Sequence, residues 1–244
     1  MPDLAIFDRE EELAALATRL GDRRSFLLHG PSGVGKTRLL ASLLPSFPQW
    51  LYCPQSPDSR SVFQALAASL RAARDPIIAA KLRGKDTGSR SALALKGIVA
   101  EALRAGSYGA VLDHLSAPSQ ALASDLKELA RLADTPLLAV ARSAHMEDAG
   151  FLLPLFPDRR DRLELRNFDR TPALAFAREA ARAASLTAAN LQEFLERAVE
   201  LSQGNPGALL ALLARAREPR YRSGDSIKIA PLYIDFRLEE VSHG

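Results

Sequence analysis

The segment Gly30-Pro31-Ser32-Gly33-Val34-Gly35-Lys36-Thr37 constrains this chain more than any other. It follows the apolar run Phe26-Leu27-Leu28 and precedes Arg38-Leu39-Leu40, so a buried strand runs into a glycine-rich loop and a helix leaves it. Glycines let successive backbone N–H groups turn inward as a nest for an anion. A helix that begins near Lys36 adds its positive end at the same point. In such a loop the Lys36 ammonium reaches the outer phosphates of a nucleotide, and the Thr37 hydroxyl reaches Mg²⁺. Gly30 through Arg38 is therefore the candidate phosphate-binding segment.

A loop of this kind needs strands that end side by side. Apolar runs at Ser25–His29, Gln49–Cys53, Tyr108–Asp113, Pro136–Ala141 and Arg162–Leu165 alternate with helical patterns at Lys36–Leu44, Ser61–Arg74, Ser91–Ala105 and Ser119–Ala133. Strands separated by helices of this length pair in parallel, and runs without polar alternation are buried on both faces. A first helix is expected from a cap at Asp8 to Gly21. Beyond Asp169 the strand signal stops, and Thr171-Pro172, Thr187 and Asn205-Pro206 read as helix starts. Leu232, Ile234, Phe236 and Leu238 then alternate with polar residues, which predicts a half-buried strand, with Pro231 at an edge or bulge. Pro76–Gly88 reads as a loop with at most one helical turn. The expectation is α/β: a parallel sheet sandwiched by helices over residues 1–168, a small helical lid over 169–218, and a β-hairpin or strand tail over 219–244.

Composition narrows the class. Of 244 residues, 47% are hydrophobic and 25% charged, which excludes a disordered or collagen-like chain. The formal net charge is only +3, so nucleic-acid binding has no support from overall charge, although arginines cluster at Arg159–Arg162 and Arg215–Arg222. Cys53 is the lone cysteine, which fits a reducing, cytoplasmic setting. The longest uncharged stretch, Leu39 to Pro57, carries four prolines and cannot span a membrane.

A phosphate loop also needs an acid at the end of a neighbouring strand. Ala110-Val111-Leu112 ends in Asp113, placed to hold the Mg²⁺ shell through water.

With these residues assembled, the chain resembles a P-loop ATPase of the AAA+/STAND branch, similar to archaeal and origin-recognition-type ATPases. Phe7-Asp8-Arg9-Glu10-Glu11-Glu12-Leu13 resembles the family's entry motif, which implies that Phe7 and Arg9 lie over the base. Gly30–Thr37 is similar to the Walker A motif and Ala110–Asp113 to Walker B. Leu137–Arg142 resembles the sensor-1 strand, which implies that Arg142 approaches the γ-phosphate. Gly204-Asn205-Pro206 resembles the motif that opens the lid helix, which implies that Pro206 approaches the base. The position of Phe156–Asp161 is where the family often supplies an arginine to a neighbouring subunit. The resemblance spans roughly Ile6 to Ala216, and it implies ATP and Mg²⁺ as ligands.

One departure bears on rate. The family places a second acid after the Walker B aspartate, and here that residue is His114. Its imidazole orients the attacking water, accepts its proton, or takes no part. The reading is thus an ATP-binding switch with slow Mg²⁺-dependent hydrolysis, whose lid and C-terminal strand meet a protein partner or a second copy. Two alternatives stand beside it: a helper ATPase in DNA transactions, and a nucleotide-binding scaffold with negligible turnover.

Overall fold

The computed structural model describes residues 7–82 and 91–243, and side chains as far as Glu239. Two compact units emerge. One comprises Glu10–Gly30 and Lys36–Leu165; the other collects the described residues of Met1–Arg9, Pro31–Gly35 and Arg166–Gly244.

The first unit is α/β. Its elements in order are α1 (Glu10–Gly21), β1 (Phe26–His29), α2 (Lys36–Leu43), β2 (Trp50–Cys53), α3 (Ser59–Ala72), α4 (Pro76–Lys81), α5 (Ala92–Ala105), β3 (Gly109–Leu112), α6 (Gln120–Ala133), β4 (Leu137–Ala141), α7 (Met146–Ala149) and β5 (Arg162–Glu164). The strands form one sheet, ordered β2-β3-β4-β1-β5, and every pairing is parallel. All residues of β3 and β4 are buried, as continuous apolar runs require in a sheet covered on both faces. One face packs Leu27, Leu112 and Ala139 against Phe63, Val99 and Leu126 from α3, α5 and α6. On another layer the chain's single tryptophan, Trp50, is 4% exposed and meets Phe26 edge-on at 6.4 Å. Its indole N–H donates to the Leu20 carbonyl at the end of α1 (3.0 Å). Helix starts follow local chemistry: Asp58, Ser91 and Ser119 each accept a bond from a backbone N–H three residues on.

The second unit is helical, with α8 (Arg170–Ala183), α9 (Leu191–Ser202) and α10 (Pro206–Arg215) around Phe176, Phe194, Val199 and Leu212. A hairpin of two-residue strands, β6 (Arg222–Ser223) and β7 (Ser226–Ile227), precedes α11 (Ile229–His243).

Three expectations are corrected. The alternating run at Leu232–Leu238 is a helix, not a strand: Leu232 and Phe236, four apart, enter the core, while Ile234 and Leu238 lie 55% and 62% exposed. Pro231 is accommodated because it falls in the first turn, where its missing N–H has no helical partner to lose. Among the described residues of this tail, the strands are those of the small hairpin. Asp8 takes a left-handed conformation (φ 49°) two residues before α1, whereas an N-cap residue is extended, so it does not cap that helix. Finally, Pro76–Lys81 is a six-residue helix because the Asp75 carboxylate accepts from the N–H groups of Ile77 and Ile78 (3.0 and 2.9 Å). The remaining part of that expected loop, from residue 83, lies outside the described residues. Among the described residues no helix is long and apolar enough to cross a membrane.

Candidate functional site

In the α/β unit, β1, β3 and β4 end side by side, and the loops that follow them carry the expected chemistry. Gly30 donates its N–H to the carbonyl of Arg142 (3.2 Å), which ties the end of β1 to the end of β4. Lys36 and Thr37 open α2. Lys36 donates from Nζ to the Gly30 carbonyl (2.6 Å), curling its ammonium back over the loop's base. Burial pushes its pKa down, Asp113 opposes that shift, and the Arg142 guanidinium adds to it. Arg142 is exposed, as is Arg38 in the first turn of α2.

Asp113 is the centre of the polar network. Its side chain is 1% exposed and accepts three bonds. The Thr37 hydroxyl (2.9 Å) and the Tyr52 hydroxyl (2.7 Å) both donate to Oδ2, and the His114 N–H donates to Oδ1 (2.7 Å). An acid just past β3 and a hydroxyl from α2 thus meet directly. Tyr52 was not foreseen. It stands at the third position of β2, paired with Val111 of β3, and its ring length carries the hydroxyl to the carboxylate. Burial raises the phenol's pKa well above its usual value, helped by the bond to Asp113, so it remains a donor. No sequence motif signals this pairing; only strand register does.

The His114 side chain is 64% exposed, with Nε2 3.9 Å from Asp113 Oδ2, and its backbone is left-handed (φ 53°). Nearby, the Ser143 hydroxyl donates to Asp148 (2.6 Å), whose charge raises the Lys36 pKa, the smallest of the influences on it. His29, at the end of β1, has its pKa lowered by burial, with Glu164 opposing. The arginines of the Phe156–Asp161 stretch, Arg159 and Arg160, are exposed on a 3-10 turn.

The donor set suits Mg²⁺. Thr37 Oγ1 and Asp113 Oδ2 are hard oxygens in contact. Among the described residues there is no cluster of three or more His, Cys, Asp or Glu able to cage a metal alone. Mg²⁺ is usually held by one or two protein oxygens, with the rest from phosphate and water.

The crown of the loop, Pro31–Gly35, belongs to the helical unit. Gly33 and Gly35 take φ values of 77° and 105°, open to glycine and costly for other residues. Val34 is buried and donates to the Pro31 carbonyl (3.3 Å). The start of α10 grips this crown. Asn205 donates from Nδ2 to the Ser32 carbonyl (2.9 Å) and to Asn167 Oδ1 (3.0 Å), while its Oδ1 caps α10 by accepting from Ala208 (3.1 Å). Gly207 donates to the Gly33 carbonyl (2.9 Å), and a Cβ on Gly207 would fall 2.8 Å from Gly33 Cα. Pro206 is the first residue of α10, next to that bond. Phe7 meets Phe168 and Phe176 edge-on at 6.0 and 5.8 Å. Arg9 is buried, donates to the Arg166 carbonyl (2.6 Å) and stacks 4.4 Å over Phe168. The sequence marked Asn205 only as part of a helix start; its grip on Ser32 carries no sequence signal.

No family model matches the sequence, and no curated protein matches it significantly. Solved structures do match. A Walker-type ATPase of Pyrococcus abyssi aligns over 98% of this chain and 76% of its own, at TM-score 0.60 and 20% identity. A Signal Transduction ATPase with Numerous Domains (STAND) protein with a tetratricopeptide repeat sensor, from Pyrococcus horikoshii, aligns over 98% of this chain and 33% of its own, at TM-score 0.55 and 16% identity. Cdc6p from Pyrobaculum aerophilum aligns over 88% of this chain and 62% of its own, at TM-score 0.59 and 17% identity. At these identities the likeness is one of fold. The chain has the fold of the P-loop ATPases.

Proposed function

We propose that the chain binds ATP with Mg²⁺ at Gly30–Thr37 and uses it as a slowly hydrolysed marker of state. The observation behind this reading is the 2.9 Å bond between Thr37 and Asp113, which joins the two motifs that a phosphate site needs. Backbone N–H groups of the loop and the start of α2 face the phosphates. Lys36 exchanges its bond to the Gly30 carbonyl for one to a phosphate oxygen. Bound Mg²⁺ supplies charge neutralisation between phosphates. Thr37 turns its hydroxyl from Asp113 to present oxygen lone pairs, and Asp113 keeps its bonds from Tyr52 and His114. Arg142 adds positive charge beside Lys36.

Attack by water lacks a carboxylate at position 114. A positioned base contributes about 10²–10⁴ in rate, so turnover by the isolated chain falls below about 1 s⁻¹. Because α10 grips the loop's crown, loading of the loop reaches the helical unit through Ser32 and Gly33. Ile234 and Leu238 on α11 give that unit an apolar outer face for a partner or a second copy.

Calorimetric titration with MgATP tests the reading. Lys36→Ala is expected to weaken binding by about 100-fold, near 2.7 kcal/mol at 1.4 kcal/mol per decade, with an unchanged melting temperature. Binding within threefold of the wild type refutes the assignment, and wild-type turnover of several per second refutes the slow-marker role.

A further inference from the structure

The N-terminal ends of β1, β3 and β4 frame a second polar site, at the end of the sheet away from Gly30, Asp113 and Arg142. A cavity of about 570 Å³ lies there, with Arg23, Ser25, Arg104, Ser107, Asp134 and Thr135 among its lining residues. The volume falls within the roughly 300–1,000 Å³ of small-molecule sites.

Its chemistry is unbalanced toward donors. Neither Arg23 nor Arg104 makes a side-chain hydrogen bond or ion pair among the described residues. The Thr135 hydroxyl is buried, in a residue 3% exposed, and has no hydrogen-bond partner. Ser25 Oγ accepts from the Leu137 N–H (3.0 Å), which leaves its own proton to give. Asp134 is the one acid on the lining. Three helices end here, and helix C-termini are negative, but the turns that follow use their carbonyls. The Leu20 carbonyl accepts from Arg23 and Trp50, that of Leu103 from Tyr108, and that of Ala130 from Thr135. What remains unspent is two guanidiniums and three hydroxyls.

Three helix ends set the same rim. Arg23, Ser107 and Asp134 hold φ values of 53°, 50° and 49°. All three follow the ends of helices, where a left-handed residue is a common terminator.

We propose that this cavity binds a small phosphate-bearing anion. Guanidinium forks match phosphate oxygens in charge and geometry, and the hydroxyls of Ser25, Ser107 and Thr135 on the lining complete the donor set. A cation or a neutral apolar ligand would leave both guanidiniums unpaired. The site uses no residue of the phosphate loop, so it stands or falls apart from the ATP reading.

Titration calorimetry with inorganic phosphate and with pyrophosphate tests it, on the wild type, on Lys36→Ala, on the pair Arg23→Gln with Arg104→Gln, and on Thr135→Val. Expected is a stoichiometric site that survives Lys36→Ala and loses at least about tenfold in affinity in the arginine pair. Thr135→Val is expected to bind several-fold more weakly while melting no lower without ligand, since it removes an unpaired hydroxyl. Absence of that site from the wild type and Lys36→Ala, equal affinity in the arginine pair, or equal affinity in Thr135→Val overturns the proposal.

Discussion

The two units hold their polar groups in opposite ways. In the α/β unit a carboxylate, Asp113, is withdrawn almost wholly from water and accepts from three donors, one in α2, one in β2 and one in the loop after β3. In the helical unit the corresponding work falls to one neutral amide. Asn205 spends its donors on Ser32 and Asn167 and its acceptor on the start of α10. Parallel strands fix the height of every residue that follows them, so a charge can be buried where donors are certain to be. Helices joined by loops give no such certainty, and a side chain that both donates and accepts tolerates more.

That contrast predicts where substitution hurts. Asn205→Ala removes the cap and the grip on Ser32 together. It should destabilise the helical unit by about 1–2 kcal/mol and weaken MgATP binding about tenfold. Asn205→Asp keeps the cap but loses the donors, so it should melt near the wild type and still bind weakly. Differential scanning calorimetry and titration separate the two. Asn205→Asp with wild-type affinity would show that the amide holds only the helix. Next in size is Tyr52→Phe, which deletes one of three bonds to Asp113. A bond to a charged group contributes about 1.5–3 kcal/mol, so the Mg²⁺ concentration for half-maximal binding should rise about tenfold, while Mg²⁺-free nucleotide affinity stays unchanged. An equal loss with and without Mg²⁺ would mean that Tyr52 serves packing alone. The smallest effect concerns His29. Burial lowers its pKa from the usual 6.5, so the unfolded chain binds more protons there than the folded one. Its contribution to stability is therefore present above pH 6.5 and is lost as the pH falls below that value. His29→Asn should flatten the decline in melting temperature on acidification, and an unchanged slope would remove His29 from the account.

The sheet was legible because its strands are buried on both faces. Val111-Leu112 and Leu137–Val140 could serve no other element at that length, and Asp58, Ser91 and Ser119 announce their helices locally. The loop from Gly30 to Thr37 stands out by its glycines between β1 and α2, whereas the bond from Thr37 to Asp113 appears only in the folded unit. Tyr52 was not legible, because the strand order that places β2 beside β3 is a property of the assembled sheet. Nor was Asn205, whose partner Ser32 lies 173 residues away. The tail misled through an ambiguity of period. Residues 232, 234, 236 and 238 alternate as in a strand, yet on a helix the first and third share one face and the second and fourth the other. A core that accepts Leu232 and Phe236 chose between the two.

The indole of Trp50 makes the two units separable by eye. It is the only tryptophan of the chain, sealed in the α/β unit with its N–H bound to the Leu20 carbonyl. Its emission should be blue-shifted when folded and move to the red only when β2 leaves α1. Melting of α8–α11 alone removes ellipticity at 222 nm (about the helix minimum) without altering that colour. Heating while recording both signals therefore turns one buried ring into a witness for half of the molecule, and the gap between the two midpoints reads directly how far the helical unit's stability is its own.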